Sequence, residues 1–278
     1  MNYTLNNGIK IPKVGFGTWQ IPGGEECYRA VSEALKSGYT HIDTAACYGN
    51  EESVGKAIQD SNLHRDNLFI TTKLWNTDRG FEKALKAFEH SLDKLALDYV
   101  DLYLIHWPAN KKQFNNWNEI NQETWKALET LYNEGKVKAI GLSNFMPAHI
   151  QGVLDICKIK PAVNQIEFHP GYTQDKTVDF CRGKNILIEA WSPLGSGRVL
   201  EHPFLQELAI KYKTNVATLC LSFILQSGHV VLPRSQNPIN IRANLIKSPI
   251  QLSKEDFHSI SSMENAGASG LHPDTVDF

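Results

Sequence analysis

Leu68–Trp107 reads "LFITTKLWNTDRGFEKALKAFEHSLDKLALDYVDLYLIHW". It divides into three parts. "LFITTKLW" is a short apolar run of strand length. "FEKALKAFEHSLDKLAL" places Leu85, Phe88, Leu92 and Leu95 at spacings of three and four, which predicts a helix with one apolar face. "VDLYLIHW" is a second strand. A strand, a helix and a strand in this order form a crossover between parallel strands.

The same unit recurs in both directions. "VGFGTW" and "THIDTA" precede it, and "VKAIGLS", "AVNQIEF", "ILIEAWSP" and "HVVLPRS" follow it, giving eight candidate strands. Between them "EECYRAVSEALKSG" repeats Ala30, Val31, Ala34 and Leu35 and stops at Gly38. "NQETWKALETLYNEGK" stops at Gly135, and "VATLCLSFILQSG" at Gly228. Eight such repeats predict a (β/α)8 TIM barrel, for which ~250 residues is typical. "YTLNNGIKIP" holds an Asn-Gly between two short alternating runs, a hairpin signal, expected to close the barrel bottom. No Ser/Gly-rich linker divides the chain, so residues 1–278 are read as a single domain. The longest connection, "PANKKQFNNWNEI", follows the fourth strand.

Composition narrows the classes. The chain has 278 residues, a net charge of -2 and 42% hydrophobic residues, ordinary for a protein with a sizeable core. That balance offers no electrostatic footprint for nucleic acid or anionic lipid. The polar start, "MNYTLNNGIKIPKVG", has neither region of a signal peptide, and "VATLCLSFIL" is about half of the ~20 residues that span a bilayer. Five scattered cysteines without a CxxC are expected as reduced core fillers in a cytoplasmic protein. The ten histidines include no HExxH, so no metal is expected.

In a barrel of this type the active site lies at the C-terminal ends of the strands. Asp43 ends the second strand, Lys73 the third and His106 the fourth, with Tyr48 on the loop beside them in "HIDTAACYGNE". Singly, each has an ordinary reading: a turn aspartate, a solvated lysine, a core histidine, a half-buried aromatic. Gathered at one rim they are costly to desolvate without a purpose. The group suits proton donation to a carbonyl oxygen. A phenol has a pKa of ~10, and a nearby ammonium lowers it. Lys73 supplies that charge, Asp43 holds Lys73, and a neutral His106 orients the carbonyl. No side chain delivers a hydride, so reduction requires a cofactor.

"GFGTW", "HIDTAACYGNE", "TTKLW", "VDLYLIHWP", "AIGLSNF", "NQIEFHP", "AWSPLGSG" and "LPRSQNP" together resemble the motifs of the aldo-keto reductases, in order from about Gly15 to Asn244. The likeness is strongest to the group that includes prostaglandin F synthase and 2,5-diketo-gluconate reductase. The resemblance implies a catalytic tetrad of Asp43, Tyr48, Lys73 and His106. It implies a nicotinamide cofactor extended across the barrel mouth, although the chain has neither GxGxxG nor GxxxxGK[ST]. Ser143, Asn144 and Gln165 would hydrogen-bond the carboxamide at the nicotinamide end, and Thr18 is a further expected cofactor-binding residue. Trp191 would stack on the ring, where many members carry tyrosine. Ser192, Leu194 and Ser196 would line the pyrophosphate, and Arg234, Ser235 and Asn244 the adenosine end. Asn240 stands where a second phosphate-binding arginine is common, and Gln20 where some members carry a lysine. NADPH is the expected cofactor, with NADH weaker. Trp19, Trp75, Trp107 and Trp117, with Phe114, are expected to wall a pocket for a small-molecule carbonyl substrate, and the tail "AGASGLHPDTVDF" to form one side. The chain is expected to act as a monomeric NADPH-dependent aldehyde and ketone reductase with Tyr48 as general acid. The alternative is a cofactor-sensing regulatory module with little turnover.

Overall fold

The computed structural model describes residues 1–278. The chain opens with a hairpin of β1 (Asn2–Thr4) and β2 (Lys10–Pro12). Then follow β3 (Phe16–Gly17), α1 (Glu25–Ser37), β4 (His41–Asp43), α2 (Glu51–Asp60), β5 (Phe69–Leu74), α3 (Phe81–Leu95) and β6 (Val100–Ile105). The second half holds α4 (Trp117–Asn133), β7 (Val137–Ser143), α5 (Pro147–Leu154), β8 (Val163–Glu167), α6 (Asp175–Gly183) and β9 (Leu187–Trp191). It ends with α7 (Pro203–Lys211), α8 (Val216–Gln226), β10 (Val230–Val231), α9 (Pro238–Asn244) and α10 (Lys254–Ser261).

Strands β3 to β10 pair in sequence order in one eight-stranded sheet, and every neighbouring pair is parallel. The first and last strands also meet. Val14 bridges Val231 in parallel, the Gly15 N–H donates to Val231 O at 2.9 Å, and the Val231 N–H donates to Lys13 O at 3.0 Å. The sheet thus closes into the expected (β/α)8 barrel. All eight expected strands are present, and β3 and β10 shrink to two residues each. Pro233, which has no N–H to give, follows close behind β10.

The four expected helices form α1, α3, α4 and α8. Helix α1 ends as its sequence implies, with Gly38 in the left-handed conformation (φ 103°) and its N–H turned back to Ala34 and Leu35 carbonyls. The other six helices have at most ten residues, too short to display a full apolar stripe. Helix α4 begins at Trp117, inside the stretch expected as the longest loop.

Side chains alternate along each strand between two apolar layers. One layer, including Phe16, Ile42, Ile70, Tyr103, Ile140 and Ile188, packs between sheet and helices. The other, including Phe69, Leu102, Ala139, Val163 and Val230, fills the barrel interior. Leu5 and Ile11 of the hairpin join the inner layer. At the hairpin turn, Asn6 Nδ2 donates to Pro161 O at 2.8 Å, and Asn7 Nδ2 donates to Lys138 O at 2.9 Å. Both acceptors lie at the N-terminal ends of strands, so the hairpin closes the barrel bottom. No single helix is long and apolar enough to cross a membrane; only α7 and α8 together pass by length and composition, and they are bent by 85°.

Helices α2 and α3 touch where Gly55 faces the end of α3. A Cβ at Gly55 would lie 2.2 Å from the Leu95 carbonyl oxygen, which is backbone and cannot swing away. Gly55→Ala should therefore destabilise the barrel by about 1–3 kcal/mol or more, read as a lowered Tm in calorimetry; an unchanged Tm would mean that the two helices are not in contact there.

Candidate active site

The inner face of the barrel changes character from bottom to top. On β5 the inward residues are Phe69, Thr71 and Lys73. On β6 and just beyond they are Leu102, Leu104 and His106. On β7 they include Ala139 and Ser143, on β8 Val163 and Gln165, and on β9 Leu187, Glu189 and Trp191. The two-residue period thus carries the apolar inward rows of β5 to β8 into polar residues toward the C-terminal rim, and that of β9 into Glu189 and then Trp191. Lower down, Gly15 makes room for His41, the first residue of β4: a Cβ there would lie 2.6 Å from His41 Nδ1.

The four expected catalytic residues meet. Lys73 Nζ donates to Asp43 Oδ1 at 2.6 Å, to Thr44 O at 2.9 Å and to Tyr48 Oη at 3.4 Å. Its side chain is 0% exposed and that of Asp43 is 5% exposed, so this is a buried ion pair. The short 3-10 turn Ala46–Tyr48 presents Tyr48 from the loop after β4. The His106 ring lies 5.5 Å from the Tyr48 ring, edge to face. Asp43 Oδ2 accepts from Gln165 Nε2 at 2.8 Å.

Burial decides the protonation of this group. The Tyr48 phenol opens onto the cavity on one side, yet desolvation by the surrounding protein raises it above the ordinary phenol value. The Lys73 ammonium pulls it down and Asp43 pushes it up. The expected lowering by Lys73 is present but does not prevail, because desolvation of the phenolate outweighs it. Lys73 is held above its ordinary value: burial alone would lower it, and Asp43 and Tyr48 more than offset that. His106 is pushed well below 6.5 by burial and by Lys73, so it is neutral. Lower in the barrel, burial pushes Glu189 up to about 8, with Asp43 adding to the shift. His41, 3.9 Å from Glu189, is pushed down to about 3 by burial and by Lys73.

A cavity of about 770 Å³ opens above the four residues. Asp43, Tyr48 and His106 line its floor, and Lys73 lies buried beneath. Ser143, Asn144, Gln165, Trp191, Ser192, Leu194, Ser196, Arg234, Ser235 and Asn244 also line it, as expected. Ser143 Oγ donates to the Gln165 carbonyl at 3.0 Å. The turn Ser192–Gly197 is wound tightly, with positive φ at Ser192, Gly195, Ser196 and Gly197, and the Ser192 and Ser196 hydroxyls meet at 2.9 Å. The chain then passes within a few residues into α7, without a long flap. At the far end, Arg234 Nε and Nη2 donate to the Trp19 and Gln20 carbonyls at 3.0 and 2.7 Å. Arg242 pairs with Glu33 of α1, so it does not stand in for the arginine missing at Asn240, which does line the cavity. These donors, acceptors and turn are chemically suited to the nicotinamide dinucleotide that the resemblance implies.

Trp19, Trp75 and Trp107 wall the cavity as expected. Trp117 does not. As the first residue of α4 it packs edge-on against His149, with ring centroids 5.2 Å apart, away from the opening. Phe114 likewise lines a smaller surface pocket with Arg79. Thr18 is a second correction: it is fully buried, and its hydroxyl donates to the Asp43 carbonyl at 3.0 Å instead of facing the cavity. The tail supplies the missing wall. Phe278 stacks on Trp75 (5.7 Å, 13°) and stands edge-on to Trp107, and Leu271 joins it at the cavity. Asn110 Nδ2 ties the tail down through the Pro273 and Val276 carbonyls at 2.9 and 3.0 Å.

Cys47 and Glu189 went unmarked in the sequence reading. Cys47 is exposed at the cavity, not a core filler, with Sγ 3.6 Å from His106 Nδ1. Its neighbours Ala46 and Ala45 gave no hint of that. Glu189 did carry a signal, a carboxylate inside the apolar run "ILIEAW", the same signal that marks Asp43. No group of three or more His, Cys, Asp or Glu side chains is placed to hold a metal ion.

Comparison with known proteins agrees with this geometry. Residues 13–265 match the model of the "Aldo/keto reductase family". The chain is similar to the glyoxal reductase of Bacillus subtilis, 44% identical over 274 residues that cover 99% of this chain and 96% of that one. It is also similar to the glycerol 2-dehydrogenase (NADP(+)) of Saccharomyces cerevisiae, 41% identical, with 99% and 95% covered. Among solved structures, an aldo-keto reductase from a deep-sea metagenome library superimposes with a TM-score of 0.92 at 41% identity, covering 99% of this chain and all of that one.

The buried Glu189 gives a pH signature. Its carboxyl rises from 4.5 to about 8 on folding. A raised acid contributes stability that is fully present below pH 4.5 and is lost as pH rises through about 8. Glu189→Gln lacks that titration, so its stability relative to the unsubstituted protein should climb across this window. Urea melts at several pH values check this; a difference independent of pH would place the ionised carboxylate in the folded state.

Proposed function

The chain belongs to the aldo/keto reductase family, and on the geometry of its cavity we propose that it reduces small aldehydes and ketones to alcohols with NADPH. The observation that carries this reading is the Tyr48 hydroxyl, held 3.4 Å from a fully buried lysine and beside a neutral histidine at the floor of the cavity. A bound nicotinamide cofactor supplies the hydride. The chain supplies the proton and the field. The neutral His106 and the Tyr48 hydroxyl receive the carbonyl oxygen between them. As negative charge develops on that oxygen, Tyr48 gives up its proton and the Lys73 ammonium stabilises the phenolate left behind. Asp43 and the Thr44 carbonyl fix Lys73 in place for this role. Trp75, Trp107 and Phe278 cover the floor with aromatic surface, which favours apolar and planar substrates and keeps water from the reacting carbon. A cofactor-sensing module without turnover would have no need of the Lys73–Tyr48 contact.

NADPH is favoured over NADH by Arg234. Two of its guanidinium nitrogens hold the Trp19 and Gln20 carbonyls, and Nη1 remains to meet a 2′-phosphate, with Ser235 adjacent at the cavity. Asn240 adds no second charge there.

Tyr48→Phe should lower kcat for carbonyl reduction by ~100- to 10,000-fold, the usual cost of losing a general acid. NADPH affinity should stay near that of the unsubstituted enzyme. Retention of a tenth of the original kcat would remove Tyr48 from the role. Arg234→Ala should weaken NADPH by about ten- to a hundredfold and NADH far less. Dissociation constants for both cofactors by fluorescence titration decide it: equal weakening of the two would move the phosphate site elsewhere.

A further inference from the structure

His106 stands at the floor of the cavity and is only 7% exposed. Two aromatic rings hold its plane: Tyr48 at 5.5 Å and Trp75 at 5.3 Å between centroids, both edge to face. Its backbone N–H donates to Leu74 O at 3.2 Å. Packing therefore fixes where the ring lies. It does not fix which nitrogen carries the proton, and a neutral imidazole has only one N–H.

The two nitrogens have different surroundings. Nδ1 lies 3.6 Å from Cys47 Sγ and meets no other donor or acceptor of the protein. Nε2 has no partner in the protein and is not sealed off by packing, so it is the nitrogen open to the cavity. Cys47 reaches Nδ1 because the 3-10 turn Ala46–Tyr48 sets it next to Tyr48. The thiol meets the ring at Nδ1, and the phenol ring stands edge to face with it.

Both groups are uncharged. The protein packed around the thiol pushes it up to about 11, against the pull of Lys73, and burial and Lys73 push His106 well below 6.5. The contact is therefore either S–H to a bare Nδ1 or Nδ1–H to sulfur. An imidazole lone pair is the better acceptor, because thiol sulfur accepts only weakly. The cavity side selects the same arrangement. With the proton on Nδ1, the Nε2 lone pair would face the lone pairs of a carbonyl oxygen.

We propose that Cys47 is a positioning residue: its S–H donates to His106 Nδ1 and so keeps the ring proton on Nε2, the nitrogen that donates to the carbonyl oxygen of the substrate. The proposal rests on the proposed function and adds the residue that sets its hydrogen-bond donor. Cys47 acts through His106 and not on the reacting atoms. Without the thiol, Nδ1 loses its donor, the proton is free to take either nitrogen, and the fraction of rings able to donate falls. A neutral hydrogen bond of this kind corresponds to a loss of about two- to tenfold.

The test is 15N NMR of the full-length protein labelled at histidine, with the His106 signals assigned by their loss in His106→Gln, beside kinetics with 4-nitrobenzaldehyde and NADPH. The unsubstituted protein should show a protonated Nε2 and a bare Nδ1 at His106. Cys47→Ala should move the proton toward Nδ1 and lower kcat/KM by about two- to tenfold, with NADPH affinity and Tm close to their original values. Cys47→Val, which fills the space without a donor, should behave like Cys47→Ala. A proton on Nδ1 in the unsubstituted protein would overturn the proposal, because Cys47 would then be the acceptor. Unchanged nitrogen signals in both variants would also overturn it. So would a Cys47→Val enzyme with full activity, since the thiol would then serve only as packing. If no aldehyde is reduced, the proposed function fails and the proposal with it; turnover with the proton on the wrong nitrogen refutes the proposal alone.

Discussion

The ion pair between Lys73 and Asp43 is the constraint around which the rim is arranged. Removing an ammonium and a carboxylate from water costs several kcal/mol per ion unless every hydrogen-bonding position is filled. Here they are filled. Lys73 has three N–H bonds and three partners: Asp43, the Thr44 carbonyl and Tyr48. Asp43 divides its two oxygens between Lys73 and Gln165. The partners come from β4, β5, β8 and the loop after β4, so satisfying one buried charge fixes four segments against one another. A shift of one residue in any of these strands would turn its inward side chain to the helix layer and leave the pair incomplete.

With the charges of Lys73 and Asp43 balanced, the groups around them are held in neutral forms. His106 and His41 are pushed down, Glu189 and Tyr48 up, and desolvation is the leading cause each time. The floor of the cavity is therefore one ion pair in an otherwise uncharged setting. That suits proton donation on demand. The phenol keeps its proton at rest, and the nearby ammonium becomes worth most when negative charge develops, because the low-dielectric surroundings strengthen that interaction.

The mouth is assembled on a different principle. Its walls come from segments distant in sequence, joined by single side chains that bond to a distant backbone or side chain. Arg234 links the end of β10 to the Trp19–Gln20 turn. Asn76 and Asn110 hold the last residues, and Glu167 accepts from the N–H and hydroxyl of Ser269 at 2.8 and 2.6 Å. Phe278, Leu271 and the tryptophans contribute apolar surface toward the opening, together with Leu194, Leu200 and Leu232. The floor is set by the barrel's strand alternation, whereas the walls are set by loops and the tail.

By itself the sequence determined the barrel, the strand ends and the four residues at the rim. Each of these is local: a two-residue alternation, a helix repeat closed by glycine, and an Asp, Lys or His at the end of an apolar strand with Tyr48 on the adjoining loop. Even the closing hairpin was readable from Asn7-Gly8. Tertiary structure alone decided what depends on distance between strands far apart in the chain. Trp117 points to His149 and not to the cavity, Thr18 is sealed under Asp43, and Cys47 is open beside His106. The balance at Tyr48 is of the same kind. The sequence reveals that a lysine stands near the phenol, but the sign of its shift is set by how much water the packed barrel excludes, and exclusion belongs to the assembled surface and not to any stretch of residues.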